Sequence, residues 1–431
     1  MPVEAPPRHA PRLSTVAAGI VGSEILKIAA EIRAMRESGE RVVNLTVGDF
    51  DPTYFRIPRK LEDGIVRALR AGETNYPPSS GIPALKKAVV ALYERALGLR
   101  YGVDSVVVTG GSRPGIYGTF RTLVDAGDRV VYPVPSWNNN HYCHLIGADG
   151  VAVPCSAEQS FLPTRELLAP AVRDARLVAL CSPLNPAGTA FTADALAGIC
   201  DLVLEENARR DAEGARPLYV LYDQVYWTLT FGGTVHHTPV ALRPEMARYT
   251  VFVDGISKAF AATGVRVGWV VGPPDVIAAM SDVLGHVGAW APRAEQVATA
   301  AFLADDEAVA EYRRTLHDGL QQRLDALYDG VCAMERDGLP VSAVAPTGAI
   351  YLSVRVALND RRAPSGDVLR TNEDIRRYLL HRAGVAVVPF QAFGSNDESG
   401  WFRLSVGAVS GEEIAQMMPR LREAVEATNG G

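Results

Sequence analysis

The segment Thr250-Val251-Phe252-Val253-Asp254-Gly255-Ile256-Ser257-Lys258 decides how this chain is read. Thr250–Asp254 is short, mostly apolar and β-branched, the pattern of a buried strand. Gly255 ends it, Lys258 follows, and Gly264-Val265-Arg266-Val267-Gly268 comes next. Of 43 lysines and arginines, only Lys27, Lys60, Lys86, Lys87 and Lys258 are lysine. The chain therefore uses arginine for nearly every generic cation. A lysine among small residues at a strand end then points to a chemical task, because an amine can be made neutral whereas a guanidinium stays charged.

Upstream of that segment, Ser105–Thr109, Asp128–Tyr132, Leu177–Cys181 and Leu218–Leu221 read as further buried strands. Helical patterns over Pro114–Leu123 and Thr192–Ala208 alternate with them, which predicts a mainly parallel α/β sheet. The last third differs: helical stretches Asp275–Leu284 and Ala294–Tyr328 precede strands around Gly348–Val354, Val385–Pro389 and Trp401–Val406, a separate α+β unit. At the start, Met1–Arg12 is a proline-rich arm. A helix over Ser23–Glu37 carries Ile25, Ile28, Ala29 and Ile32 on one face, and Val42–Val47 is a short strand.

In an open parallel sheet, ligands sit beyond the carboxyl ends of the strands. The residues there are Gly110-Gly111-Ser112-Arg113 opening a helix, Pro135-Ser136-Trp137, Asn185-Pro186-Ala187-Gly188, Asp223-Gln224-Val225-Tyr226, and Ser257-Lys258. The glycine turn offers backbone N–H groups and a helix N-terminus to an anion, although its spacing is neither a P-loop nor GxGxxG. Asn185, before proline, is held out of the helical region, so its amide can be aimed. Asp223 ends a buried strand and calls for a cation. Together these supply an amine, a carboxylate, an aromatic cover, an anion nest with an arginine, and an aimed amide. That set suits pyridoxal 5'-phosphate: a lysine kept from its ammonium form builds a Schiff base, and a carboxylate keeps the pyridine nitrogen protonated.

With a net charge of −6 there is no basic footprint for nucleic acid. No apolar run spans a membrane and no signal-peptide core precedes the helix, so a cytoplasmic location is expected. The five cysteines are scattered and free of CxxC spacing, which argues against a disulfide framework or a zinc site.

At this point the chain resembles the fold-type I pyridoxal-phosphate enzymes, within them the aspartate aminotransferase family. The resemblance covers nearly everything after the first twenty residues. Its pieces occur in order: Asn75-Tyr76-Pro77, Gly110–Arg113, Pro135-Ser136-Trp137, Asn185-Pro186-Ala187-Gly188, Asp223–Tyr226, Ser257–Phe260 with Thr263–Gly268, and Phe402-Arg403-Leu404-Ser405. It implies a three-layer α/β/α large domain over 65–300, a smaller α+β domain built from 23–64 and 301–431, and an arm over 1–22. It implies that Lys258 holds the cofactor covalently and moves the α-proton. Asp223 would pair with the pyridine nitrogen, Tyr226 and Asn185 with the phenolate oxygen, and Trp137 with the ring face. Gly111, Ser112, Ser257 and Arg266 would hold the phosphate, joined by Tyr76 from the second subunit of a homodimer with shared sites. Arg403, with Asn185 and the Gly48 backbone, would take the substrate α-carboxylate. Arg113 would take the distal carboxylate of an acidic substrate, with Arg293 in reserve.

There are departures. Relatives often carry serine three residues before the lysine, where this chain has Gly255. His141-Tyr142-Cys143-His144 is unfamiliar; it places two imidazoles on one helical face, and no metal site is assigned to it. Gly288–Arg293 replaces a serine- and threonine-rich loop that borders the partner's site in the family. The function implied is transamination between aspartate or glutamate and a 2-oxo acid. The alternative is a lyase, cyclase or decarboxylase on the same scaffold. A ligand-binding regulator is disfavoured, because no segment of helix-turn-helix size precedes residue 23 and the chain is acidic.

Overall fold

The computed structural model describes residues 13–20, 22 and 24–429. The proline-rich stretch 1–12 of the expected arm lies outside them. So do Ser23 and the side chain of Ile25 on the first expected helix, which runs over Glu24–Glu37 with Ile28 and Ile32 buried.

A seven-stranded sheet forms the body of the molecule. Its strands are β1 (Val106–Thr109), β2 (Arg129–Val134), β3 (Asp149–Pro154), β4 (Ala175–Cys181), β5 (Tyr219–Asp223), β6 (Thr250–Gly255) and β7 (Gly268–Val271). Their spatial order is β1-β7-β6-β5-β4-β2-β3. Neighbours are parallel except around β7, which runs antiparallel to both β1 and β6. Side chains alternate between two cores: Leu177, Ala179, Val251 and Val253 pack on one face, while Val178, Leu180 and Phe252 pack on the other. Ile116 and Phe120 of helix Ser112–Leu123 and Met280 of helix Pro274–His286 cover the first face. Val89 of helix Pro83–Leu97 and Leu196 of helix Ala193–Glu213 cover the second. This is the three-layer α/β/α arrangement that continuous apolar strands require.

The five strands read from the sequence between residues 105 and 254 all lie in this sheet. Two others escaped that reading. β3 is an edge strand with most residues exposed or half-buried, so it carries no apolar run. β7 is only four residues long and sits directly behind the glycine-flanked Arg266. The expected helix Ala294–Tyr328 is two helices, Arg293–Leu303 and Asp306–Arg336. Asp305 caps the second by accepting from the Ala308 amide at 3.0 Å.

The second unit holds a four-stranded antiparallel sheet of Val341–Val344, Tyr351–Val356, Val388–Pro389 and Trp401–Ser405. The two chain ends meet here. Val43–Asn44 pairs in parallel with Val385–Ala386, and Val43 and Leu45 share a core with Leu320, Leu352, Phe402 and Val425. No helix among the described residues is long and apolar enough to cross a membrane.

Candidate active site

The carboxyl ends of β4, β5 and β6 open into a cavity of about 1050 Å³ between the two units. Lys258 enters it from the helical turn Ile256–Ala259 that follows β6. Its Nζ donates to the Gly48 carbonyl at 2.5 Å and lies 5.6 Å and 5.9 Å from the ring centres of Phe50 and Tyr226. Burial lowers its pKa to about 8. Arg403, Arg113 and Arg266 push the same way, and Asp49 opposes them. The absence of serine at position 255 has a steric reason: a Cβ there would sit 2.8 Å from the Gly268 Cα, where β6 presses on β7.

Asp223 closes β5. One carboxylate oxygen accepts from the Val225 amide at 3.1 Å, and no cation pairs with it among the described residues. Burial raises its pKa to about 6. A carboxyl in that position suits a positively charged partner.

Gly111 precedes helix Ser112–Leu123 with φ 91° and caps it without a side chain, so the first N–H groups of the helix face the cavity uncapped. A Cβ on Gly111 would lie 2.2 Å from an Arg266 nitrogen. Arg266 itself is held at φ 62°, and its guanidinium donates to the carbonyls of Thr263 at 2.6 Å and Gly110 at 3.0 Å. An arginine held in the left-handed region beside a glycine-lined helix N-terminus forms a cradle for an anion. Ser112 and Ser257 line the same cavity.

Arg403 projects from the strand Trp401–Ser405 and is 1% exposed. Nη1 donates to Asn185 Oδ1 at 3.1 Å, Nη2 donates to the Thr46 carbonyl at 2.5 Å, and Nε has no partner. It stacks over the rings of Tyr351 at 4.7 Å and Phe393 at 4.8 Å, with no carboxylate beside it among the described residues. Gly188, at φ 75°, lets the strand that carries Tyr351 lie against the Asn185–Gly188 turn, because a Cβ there would collide with the Tyr351 carbonyl. Trp137 forms another wall, and the Arg113 guanidinium lies 5.3 Å from its ring centre.

The structure thus gathers Lys258, Asp223, Tyr226, Asn185, Trp137, Ser112, Ser257, Arg266, Arg113, Arg403 and Gly48 around one cavity, with Gly111 at its edge. Tyr76 stands elsewhere: it is 82% exposed, with its ring edge-on to Trp290 at 5.6 Å. Arg293 is committed to Glu73 at 2.5 Å. Of the unfamiliar histidines, His141 lines the cavity, whereas His144 bonds the Val16 carbonyl at 2.8 Å. Among the described residues no cluster of three or more metal-ligating side chains occurs. Tyr351 was missed by sequence reasoning. Its hydroxyl meets that of Tyr226 at 2.6 Å and its ring underlies Arg403. The only local signal was a tyrosine in an apolar strand just after Gly348-Ala349.

Residues 40–421 match the family model described as aminotransferase class I and II. The chain belongs to that family. Aspartate aminotransferase of Geobacillus stearothermophilus is 31% identical over 96% of this chain and 99% of its own length. That of Rhizobium meliloti (strain 1021) is 32% identical over 94% of each chain. A crystal structure of the aspartate aminotransferase from Rhizobium meliloti superposes with a TM-score of 0.88 at 30% identity, covering 97% of this chain and 100% of the other. This member of the family is a fold-type I aminotransferase, and the family uses pyridoxal phosphate.

Proposed function

We propose that this aminotransferase is a homodimer that uses bound pyridoxal 5'-phosphate to move the amino group of aspartate or glutamate to a 2-oxo acid. The observation that carries this reading is a pair of cations without carboxylate partners among the described residues. Arg403 is buried on one side of the cavity, Arg113 stands by Trp137, and both act on the Lys258 amine. Two such cations suit a substrate with two carboxylates. The names of the relatives support the same choice.

The residues present fit the cofactor. Asp223, which pairs with no cation among the described residues, would meet the ring nitrogen. The Gly111–Ser112 turn, Ser257 and Arg266 would hold the phosphate, together with the partner's Tyr76. Tyr226 and Asn185 would meet the ring oxygen, and Trp137 would cover the ring face. When bound, the cofactor supplies an electron sink for the α-carbon of the amino acid. Lys258, drawn toward its neutral form, takes and returns the proton at that carbon. Arg403 and Asn185 orient the α-carboxylate, and Arg113 selects the distal one. The five cysteines are free, which fits the cytoplasmic setting we propose.

A donor screen tests this. Each amino acid is added alone to the loaded protein while the cofactor absorbance and the released keto acid are followed. Aspartate and glutamate should give one equivalent of keto acid and then stop until a 2-oxo acid is added. Continuous release of carbon dioxide or ammonia from one substrate would establish the lyase or decarboxylase reading instead.

A further inference from the structure

Asp254, at the end of β6, is fully buried and has no part in the chemistry described above. Three donors converge on its carboxylate. The Gly255 amide reaches Oδ1 at 2.7 Å, and the Trp227 indole N–H at 2.9 Å and the Tyr93 hydroxyl at 3.4 Å reach Oδ2. Tyr93 accepts in turn from Gln224 Nε2 at 3.1 Å, and Gln224 Oε1 faces His236 Nε2 at 3.3 Å. Arg313 lies 4.8 Å from the Trp227 ring centre and 5.6 Å from that of Phe260, with its Nε and Nη2 unpartnered.

This circuit joins the two turns that carry the site's carboxylate and amine. Gln224 and Trp227 belong to the turn that starts at Asp223. Asp254 and Gly255 lead into the turn that carries Ser257 and Lys258. The register of β5 with β6 ends at the pair Asp223 and Val253, followed by one last bond from the Gln224 amide to the Val253 carbonyl at 3.0 Å. Beyond that point no ladder fixes one turn against the other. Burial raises the Asp254 pKa to about 8, and in either protonation state each oxygen keeps a lone pair for the N–H that faces it, Gly255 at Oδ1 and Trp227 at Oδ2. An apolar residue of equal volume would leave the indole and Gly255 N–H groups buried and unpaired.

We propose that Asp254 is a positioning residue, whose carboxylate clamps the Asp223 turn to the Lys258 turn through Trp227 and Gly255. It thereby sets the placement of carboxylate against amine on which cofactor binding and proton transfer depend. The inference rests on the pyridoxal-phosphate reading, which uptake of the cofactor by the unaltered protein tests separately.

The deciding experiment compares Asp254→Asn, Trp227→Phe and the double variant with the unaltered protein. Three quantities are read: the cofactor dissociation constant, the circular dichroism induced in the bound cofactor, and kcat and KM. Each single variant should keep the melting temperature of the cofactor-free protein within about 3 °C. Each should bind the cofactor roughly tenfold more weakly, reduce the induced dichroism, and lower kcat about tenfold while KM changes less than about threefold. The double variant should be no worse than the poorer single variant, because both act through one contact. Unchanged dichroism and affinity in both single variants, or losses that multiply in the double variant, would overturn the proposal. If Asp254→Asn fails to fold, Trp227→Phe decides alone, because it keeps an aromatic ring beside Arg313 while removing the N–H together with part of the indole.

Discussion

Lys258 Nζ donates to the backbone carbonyl of Gly48 at 2.5 Å, so the amine at the end of β6 is held by a residue 210 positions earlier in the chain. The contact spans the two units of the molecule. It fixes an amine that burial has already drawn toward neutrality, with a pKa of about 8. Protonated amine should therefore fall through pH 8, rather than near the 10.5 of a free lysine. Labelling of Lys258 in the cofactor-free protein by an amine-reactive reagent should show that midpoint in mass spectrometry. Lys258→Ala should still fold, yet lose the borohydride-trappable link to pyridoxal phosphate. Pyridoxyl found on Lys86 or Lys87 after reduction of the unaltered protein would place the site elsewhere.

Asp223 gives a stability signature. Its folded pKa of about 6 lies above the ordinary 3.8, so it favours the folded state below about pH 4. That contribution is lost as pH rises through 6, where the carboxyl ionises without a cation. Asp223→Asn should flatten this part of the pH dependence in the cofactor-free protein. It should also raise the melting temperature at pH 7 by a few degrees. In the loaded protein the same change should weaken activity strongly. Thermal scans at pH 4, 6 and 7 check the first part, and an unchanged slope would show that Asp223 is already paired.

Arg113 should decide the substrate's side chain. Loss of a charged partner to a bound carboxylate costs about 2–4 kcal/mol, a change of orders of magnitude in kcat/KM. Arg113→Met should impose that loss on aspartate and glutamate and leave alanine nearly unchanged. An equal loss for all three donors would assign Arg113 to the cofactor. Arg293→Met should show no such selectivity, because Arg293 is spent on Glu73.

Tyr76, exposed on this chain, should work in the neighbouring subunit's site. Tyr76→Ala and Lys258→Ala proteins should each be impaired. When co-folded, they should regain part of the activity, because one of the two shared sites then holds both residues intact. Mixed dimers isolated by orthogonal tags and assayed for turnover measure this. No recovery, or a fully active monomer in sedimentation, would rule out shared sites.

The sequence by itself determined the body of the fold and one half of the site. Buried parallel strands write themselves as apolar runs, and the loops that follow them are contiguous text. Gly111–Arg113, Trp137, Asn185, Asp223 and Ser257–Lys258 could therefore be picked out one strand end at a time. Arg403, Gly48 and Tyr76 entered only through the family resemblance, since nothing local marks them. The tertiary structure alone decided the rest. It set Lys258 on the Gly48 carbonyl, stacked Arg403 on Tyr351, and placed Arg113 by Trp137 while committing Arg293 to Glu73. It also closed the circuit through Asp254, Trp227 and Tyr93. Each of these joins residues far apart in the chain, whose meeting depends on sheet order and on the packing of two cores. Hydrophobic periodicity specifies which face of an element is buried, but not which distant side chain it will meet there.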